Sequence, residues 1–76
     1  MTIEDLSLAL RQFAADRQWE PFHTPKNLAM AIAGEAGELL AELQWLTPAE
    51  SASLTPDQRK AVAAEMADVL IYLCRL

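Results

Sequence analysis

The 76-residue sequence has little glycine, little cysteine and little basic charge, and each shortage excludes a class of protein. With two glycines and no alternation of apolar and polar residues, it has neither the turns nor the pattern of a β-sheet. The single Cys74 cannot form an internal disulfide or a cysteine zinc site. We therefore expect an all-α protein with a cytoplasmic location.

Six basic residues stand against eleven acidic ones, which gives a formal charge of −5. A protein that neutralises nucleic-acid phosphates needs the opposite sign, and a helix on a membrane surface needs basic polar faces. Charged residues interrupt every apolar stretch before it could span a bilayer. Residues 1–5 also lack the basic start of a signal peptide. We expect neither nucleic acid nor a membrane as a partner.

The apolar residues that are present recur at helical spacing and predict three main helices. Thr2 has the position of an N-cap for the first helix. Thr24 and Thr55 are each followed by proline, which is favoured at the first position of a helix. The predicted helices cover residues 3–18, 25–46 and 56–76.

The remaining segments are short connections. Residues 19–23 join the first two helices, and residues 51–54 are expected to be loop. Thr47 and Glu50 have the spacing of a capping box, which predicts a short helical turn. The apolar stripe of the third helix still runs at Leu76 without a capping glycine, so we expect the chain to continue beyond it.

Two pairs of acidic residues lie beside apolar stripes on different helices. Glu35 and Glu38 share one face of the second helix, and Glu65 and Asp68 share the matching face of the third. If these helices pack antiparallel, the two pairs face each other. Glu42 lies on the same face as the first pair, and we expect it at the rim of the site.

Four partly buried carboxylates repel one another, so either some of them are protonated with raised pKa values or a cation binds between them. Oxygen ligands suit Mg²⁺ or Mn²⁺, and Mg²⁺ sites leave positions for water and substrate phosphates. Two ions roughly 3.5–4 Å apart could be held by four carboxylates. A single acidic pair is more often a solvated surface feature, but two pairs in matched phase favour a metal site.

The stretches 34–39 (GEAGEL) and 65–73 (EMADVLIYL) resemble the E-x-x-E…E-x-x-D pattern of MazG-like nucleotide pyrophosphohydrolases. Residues 13–28 (FAADRQWEPFHTPKNL) and the later Gln44-Trp45 are similar to the dCTP pyrophosphatase branch. The resemblance covers most of the chain. It implies one MazG-like helical bundle domain over 1–76, which cleaves a nucleoside triphosphate to the monophosphate and pyrophosphate with Mg²⁺, as a homodimer or homotetramer.

The resemblance also implies roles for individual residues. The implied metal ligands are Glu35, Glu38, Glu65 and Asp68. From the chemistry, Glu35 or Glu38 could take the proton of the attacking water as general base, and Glu35 is preferred. The residues implied to line the base and sugar pocket are Trp19, Phe22, His23, Trp45 and Tyr72, with polar contacts from Lys26 and Asn27. Without the family, the tryptophans would be interpreted as core residues and His23 as a solvated loop residue.

One departure from the family concerns the end of the domain. Family enzymes have a further helix after the second acidic pair, with basic and polar residues that meet the phosphates, and this sequence stops before it. We therefore expect a C-terminally truncated bundle of three main helices, completed by oligomerisation, because the apolar faces would otherwise remain exposed.

Three functions remain open at the level of sequence. The leading hypothesis is a house-cleaning or pool-balancing enzyme for dCTP or modified dCTP. A dUTP or broad-specificity NTP pyrophosphohydrolase would use the same metal motif with a different base pocket. A non-catalytic helical module would use its apolar face for dimerisation or binding and keep its acids solvated.

Overall fold

The computed structural model describes residues 1–76 as helices and short connections without a β-strand. The prediction of an all-α fold is confirmed. Labelled in chain order, the α-helices are α1 (Ile3–Asp16), α2 (Pro25–Leu43), α3 (Pro48–Ser51) and α4 (Pro56–Arg75), with a 3₁₀ turn over Glu20–Phe22. None of the helices combines the length and the hydropathy needed to cross a bilayer.

A threonine begins each α-helix in the same way. Its side-chain oxygen accepts a hydrogen bond from the backbone N–H three residues later, which satisfies one of the free donors of the first turn. These bonds measure 3.1–3.2 Å and join Thr2 to Asp5, Thr24 to Asn27, Thr47 to Glu50 and Thr55 to Gln58. The predicted helix starts are therefore confirmed.

The predicted end of the first helix was wrong by two residues. α1 ends at Asp16 because Gln18 adopts a left-handed backbone with φ 57°. The N–H groups of Gln18 and Trp19 donate to the carbonyls of Ala15 and Ala14 at 3.0 and 2.9 Å, which is the Schellman pattern of helix termination. Glutamine occupies the position that glycine usually takes, so composition gave no signal for this stop.

Three other boundaries also differ from the prediction, among them the end of α4 at Arg75 instead of Leu76. α2 ends at Leu43 instead of Leu46, and Gln44 caps it by donating its N–H to Leu40. Ser51 is the last residue of α3, not part of the loop. α3 consists of a single turn, held by the reciprocal bonds between Thr47 and Glu50.

The helix α4 lies at the centre of the fold. It packs against α2 most extensively and against α1 over a shorter stretch. His23, just before α2, bonds to Arg75 at the end of α4, whereas Leu46 and Gln58 line one small cavity at the opposite end. The helices α2 and α4 are therefore antiparallel.

The core formed within one chain is small. Only Ala14 and Leu28 are buried, with 1% and 3% of their surface exposed. The radius of gyration is 14.7 Å, against about 11 Å for a compact domain of this length. Large apolar side chains remain at the surface, among them Trp45 at 85% and Phe22 at 68% exposure.

Replacing Thr55 by alanine should lower the free energy of unfolding by about 1 kcal/mol, because the first turn of α4 loses its cap. Urea denaturation monitored by circular dichroism measures the change. The matched control is Thr55→Ser, which keeps the accepting oxygen and should stay within a few tenths of a kcal/mol of the wild type. Equal losses in both variants would mean that the cap is not responsible.

Candidate active site

Three acidic side chains converge where α2 packs on α4. One carboxylate oxygen from each of Glu35, Glu38 and Glu65 lies within 4.8 Å of those of the other two. The spacing of three residues puts the first two acids on one face of α2, and the antiparallel packing brings Glu65 opposite them. Glu35 and Glu65 are partly buried, and Glu38 is exposed. We call these three residues the acidic cluster.

Asp68 lies next to the acidic cluster without joining it. It lines the neighbouring cavity, and its negative charge acts on both Glu35 and Glu65. Glu42, expected at the rim, is exposed and lies outside the cluster. The structure thus brings three of the four predicted ligands together and places the fourth between the cluster and the cavity.

Two oxygens of the acidic cluster have no partner. The Oε2 atoms of Glu35 and Glu65 are shielded from water and accept no hydrogen bond. Burying a polar atom in this way is unfavourable unless a proton or a cation compensates it. Unpartnered oxygens of this kind indicate that the acidic cluster is suited to bind a proton or a cation.

Burial and the neighbouring carboxylates also change the pKa values of these acids. Burial, reinforced by the neighbouring Glu38 carboxyl, raises the pKa of Glu35 from 4.5 to about 7. The pKa of Glu65 is raised as well, chiefly by burial and then by Glu38. Near neutral pH Glu35 therefore holds a proton part of the time, and a bound cation would displace it.

The donor set of the acidic cluster fits a divalent cation. All its ligand atoms are carboxylate oxygens, which hard cations such as Mg²⁺ and Mn²⁺ prefer. A positive ion between them would compensate the unpartnered oxygens and remove the repulsion that raises the pKa values.

A cavity of about 490 Å³ opens beside the acidic cluster, within the range of small-molecule pockets. Its wall comes from α1, the turn after it, and the second half of α4. The residues that line it are Leu10, Phe13, Ala14, Trp19, His23, Asp68, Ile71, Tyr72 and Arg75. Asp68 connects the cavity to the acids.

Aromatic rings form one side of the cavity. Trp19 meets Phe13 edge to face at 5.5 Å, and its ring lies 6.1 Å from that of His23. The Schellman turn at Gln18 positions Trp19 by folding the chain back toward α1. The Arg17 guanidinium lies 3.4 Å above the Phe13 ring, which helps to hold that ring in place.

Of the residues predicted to contact substrate, Trp19, His23 and Tyr72 line the cavity. The others do not: these are Phe22, Lys26, Asn27 and Trp45, all exposed. Within its own chain, the side-chain amide of Asn27 donates a hydrogen bond to the carbonyl of Phe22 at 3.1 Å. This bond ties the 3₁₀ turn to the start of α2.

Sequence reasoning missed two functional candidates in the cavity, Phe13 and Arg75. The Nε of Arg75 donates a hydrogen bond of 3.1 Å to Nδ1 of His23. The signal that could have found Arg75 was its spacing, since Asp68, Tyr72 and Arg75 follow one another at helical intervals of four and three residues. Its contact with His23 joins residues 52 positions apart, which no local pattern reveals.

In the absence of divalent cations, the free energy of unfolding should fall as the pH rises from about 4.5 to about 7. The reason is that folded Glu35 binds its proton more tightly than it does in the unfolded chain, and this contribution is lost through the folded pKa. Urea denaturation in EDTA at about pH 5 and pH 8 measures it.

The variant Glu35→Gln should reduce this dependence and be more stable than the wild type at the higher pH. The matched control Glu42→Gln changes an exposed acid on the same helix and should keep the wild-type slope. The raised pKa of Glu35 would be contradicted if the free energy of unfolding of the wild type rose relative to that of Glu35→Gln between about pH 5 and pH 8.

The chain matches no family model. It is 46% identical to dCTP pyrophosphatase 1 of Rattus norvegicus and to that of Homo sapiens, over 99% of this chain and 45% of each relative. The chain thus spans about half the length of these curated relatives.

Among solved structures, a pyrophosphatase from Archaeoglobus fulgidus superposes with a TM-score of 0.87 at 43% identity. The match covers 96% of this chain and 68% of that one. Similarity at this level in both sequence and fold extends well beyond the acidic pattern. The chain therefore belongs to the MazG-like nucleotide pyrophosphohydrolase family and resembles its dCTP pyrophosphatase branch.

Proposed function

We propose that the protein is a Mg²⁺-dependent nucleoside triphosphate pyrophosphohydrolase acting on dCTP or a modified dCTP. The observation that carries the proposal is the acidic cluster with its two unpartnered oxygens, next to an aromatic cavity. The names of the curated relatives support the choice of nucleotide. A cytoplasmic location belongs to the proposal and fits a chain with one free thiol.

The acidic cluster would hold the cation, with Asp68 as a further ligand from the edge of the cavity. When bound, a divalent cation polarises phosphate oxygens and lowers the pKa of water. The chain's own net charge is negative, so a triphosphate would not approach these acids without that compensation. Mn²⁺ offers the same oxygen preference and is the expected substitute.

In the reaction, one water is added across the anhydride between the α- and β-phosphates. The water oxygen bonds to phosphorus, the bond to the bridging oxygen breaks, and pyrophosphate leaves with that electron pair. Glu35 is the proposed base that takes the proton from water, in preference to Glu38. Of the two carboxylates, that of Glu35 is partly buried and that of Glu38 is exposed, so Glu35 is better shielded from bulk water.

The base and sugar would occupy the cavity beside Asp68. Trp19 offers a ring face to a nucleobase, and His23 and Tyr72 offer polar groups next to apolar walls. A base in this position directs its phosphates toward the acidic cluster, since Asp68 belongs to the wall between them.

The protein is proposed to work as a homodimer or homotetramer, with residues 1–76 forming one MazG-like unit. The small core and the exposed apolar side chains support association, because a second subunit would cover surface that water now meets. Phe22, Lys26, Asn27 and Trp45 lie outside the cavity of their own chain. In this proposal they contact nucleotide where a neighbouring subunit brings them to its site.

Wild-type protein should release pyrophosphate from dCTP in Mg²⁺ and not in EDTA. Glu38→Gln removes one charge from the acidic cluster and should lower the rate by more than about 100-fold, since loss of outer-shell partners alone costs 10–100-fold. Glu42→Gln is the control with the same chemical change on the same helix, and its rate should match the wild type. Metal-independent release, or equal rates in both variants, would refute the metal role of the cluster.

On a panel of dCTP, dUTP and dATP, dCTP should be hydrolysed with the highest kcat/KM. Trp19→Ala should raise the KM for dCTP by about 5- to 150-fold, the usual range for loss of base stacking. Trp19→Phe retains a ring face and should lose less. A flat nucleotide profile would contradict the dCTP assignment, whereas no release from any nucleotide would favour a non-catalytic binding module.

A further inference from the structure

The hydrogen bond between Arg75 and His23 determines which nitrogen of the imidazole carries a proton. The Nε of a guanidinium is always a donor and never an acceptor. Because it lies 3.1 Å from Nδ1 of His23, that nitrogen must offer its lone pair. The ring is therefore neutral and its proton is on Nε2.

The hydrogen bond between Arg75 and His23 lies in the wall of the cavity, where a ligand would contact the imidazole. Both residues line the cavity and both are partly buried, so the contact competes less with water than a surface pair would. With Nδ1 engaged by Arg75, the nitrogen left for a ligand is Nε2, a donor. Trp19 stands beside the imidazole and restricts where the ring can turn.

We propose that Arg75 is a positioning residue that fixes His23 as a neutral Nε2–H donor in the wall of the cavity. A fixed donor selects a nucleobase edge that presents an acceptor. The C2 carbonyl oxygen is such an acceptor in both cytosine and uracil, but the ring nitrogen N3 is an acceptor only in cytosine, because in uracil it carries a proton. A hydrogen bond from Nε2 to N3 would therefore favour cytosine nucleotides, and Arg75 contributes to that choice by fixing the donor.

The selectivity part of this inference rests on the proposed function, but the tautomer can be measured without any activity. His23 is the single histidine of these 76 residues, so histidine-selective ¹⁵N labelling gives one imidazole, and a His23→Gln variant assigns its signals. Histidine ordinarily titrates near pH 6.5, so the long-range ¹H–¹⁵N correlation spectrum is recorded at a higher pH. The spectrum distinguishes the protonated from the unprotonated ring nitrogen.

The test compares wild type, Arg75→Met, Arg75→Lys and the control Arg59→Met, whose arginine is exposed on the same helix outside the cavity. Wild type and Arg59→Met should show an unprotonated Nδ1 and a protonated Nε2. Arg75→Met keeps the apolar stem and should shift both nitrogens toward the tautomer mixture of free histidine. Arg75→Lys restores a donor and should recover part of the shift. Circular dichroism confirms that each variant is folded.

The proposal would be overturned if wild-type His23 carried its proton on Nδ1, or if the Arg75→Met spectrum were identical to the wild-type spectrum. This holds whether or not the protein hydrolyses nucleotides.

Where hydrolysis is observed, Arg75→Met should raise the KM for dCTP by about 2- to 10-fold, the range for one hydrogen bond, with kcat nearly unchanged. It should also reduce the preference for dCTP over dUTP. In a His23→Ala background the same substitution should have little further effect, since the acceptor of the Arg75 hydrogen bond is gone. Equal effects of Arg75→Met in both backgrounds would refute the coupling.

Discussion

The packing of α2 against α4 confines like charges at a partly buried interface, and the other features of the site depend on that constraint. The apolar stripes that drive the two helices together run directly beside Glu35 and Glu65, so burying the stripes also removes their carboxylates from water. The hydrophobic gain from the interface outweighs this electrostatic cost. The cost appears as raised pKa values and two oxygens without partners, and a divalent cation would remove both.

The cavity depends on one of these two helices, α4, together with the second half of α1 and the turn after it. α4 supplies Asp68, Tyr72 and Arg75 to one wall, and the Schellman turn at Gln18 returns the chain so that Trp19 completes another. Asp68 couples the acidic cluster to the aromatic side of the cavity, because it acts on the pKa of Glu35 and also borders the cavity. A nucleotide needs both parts at once, an apolar surface for its base and compensated charge for its phosphates.

The small core has a consequence for how the fold is stabilised. With only Ala14 and Leu28 buried, the hydrophobic contribution within one chain is modest, and much apolar surface remains available for association. The helix caps at Thr2, Thr24 and Thr55 then carry a larger share of the local stability than they would in a compact domain. Local hydrogen bonds define the helices, and the exposed apolar side chains support the proposed association.

The sequence by itself determined the local features. Threonine followed by proline at 24 and 55 predicted the helix starts, and the phase of Glu35 with Glu38 predicted a shared face, because both depend only on neighbours within one helical turn. Tertiary structure alone decided what those faces meet. The separation of Asp68 from the acidic cluster, the exposure of Trp45 and the bond from Arg75 to His23 all arise from how distant segments pack. Such features depend on how the helices pack in space, and a pattern of local spacing does not contain that information.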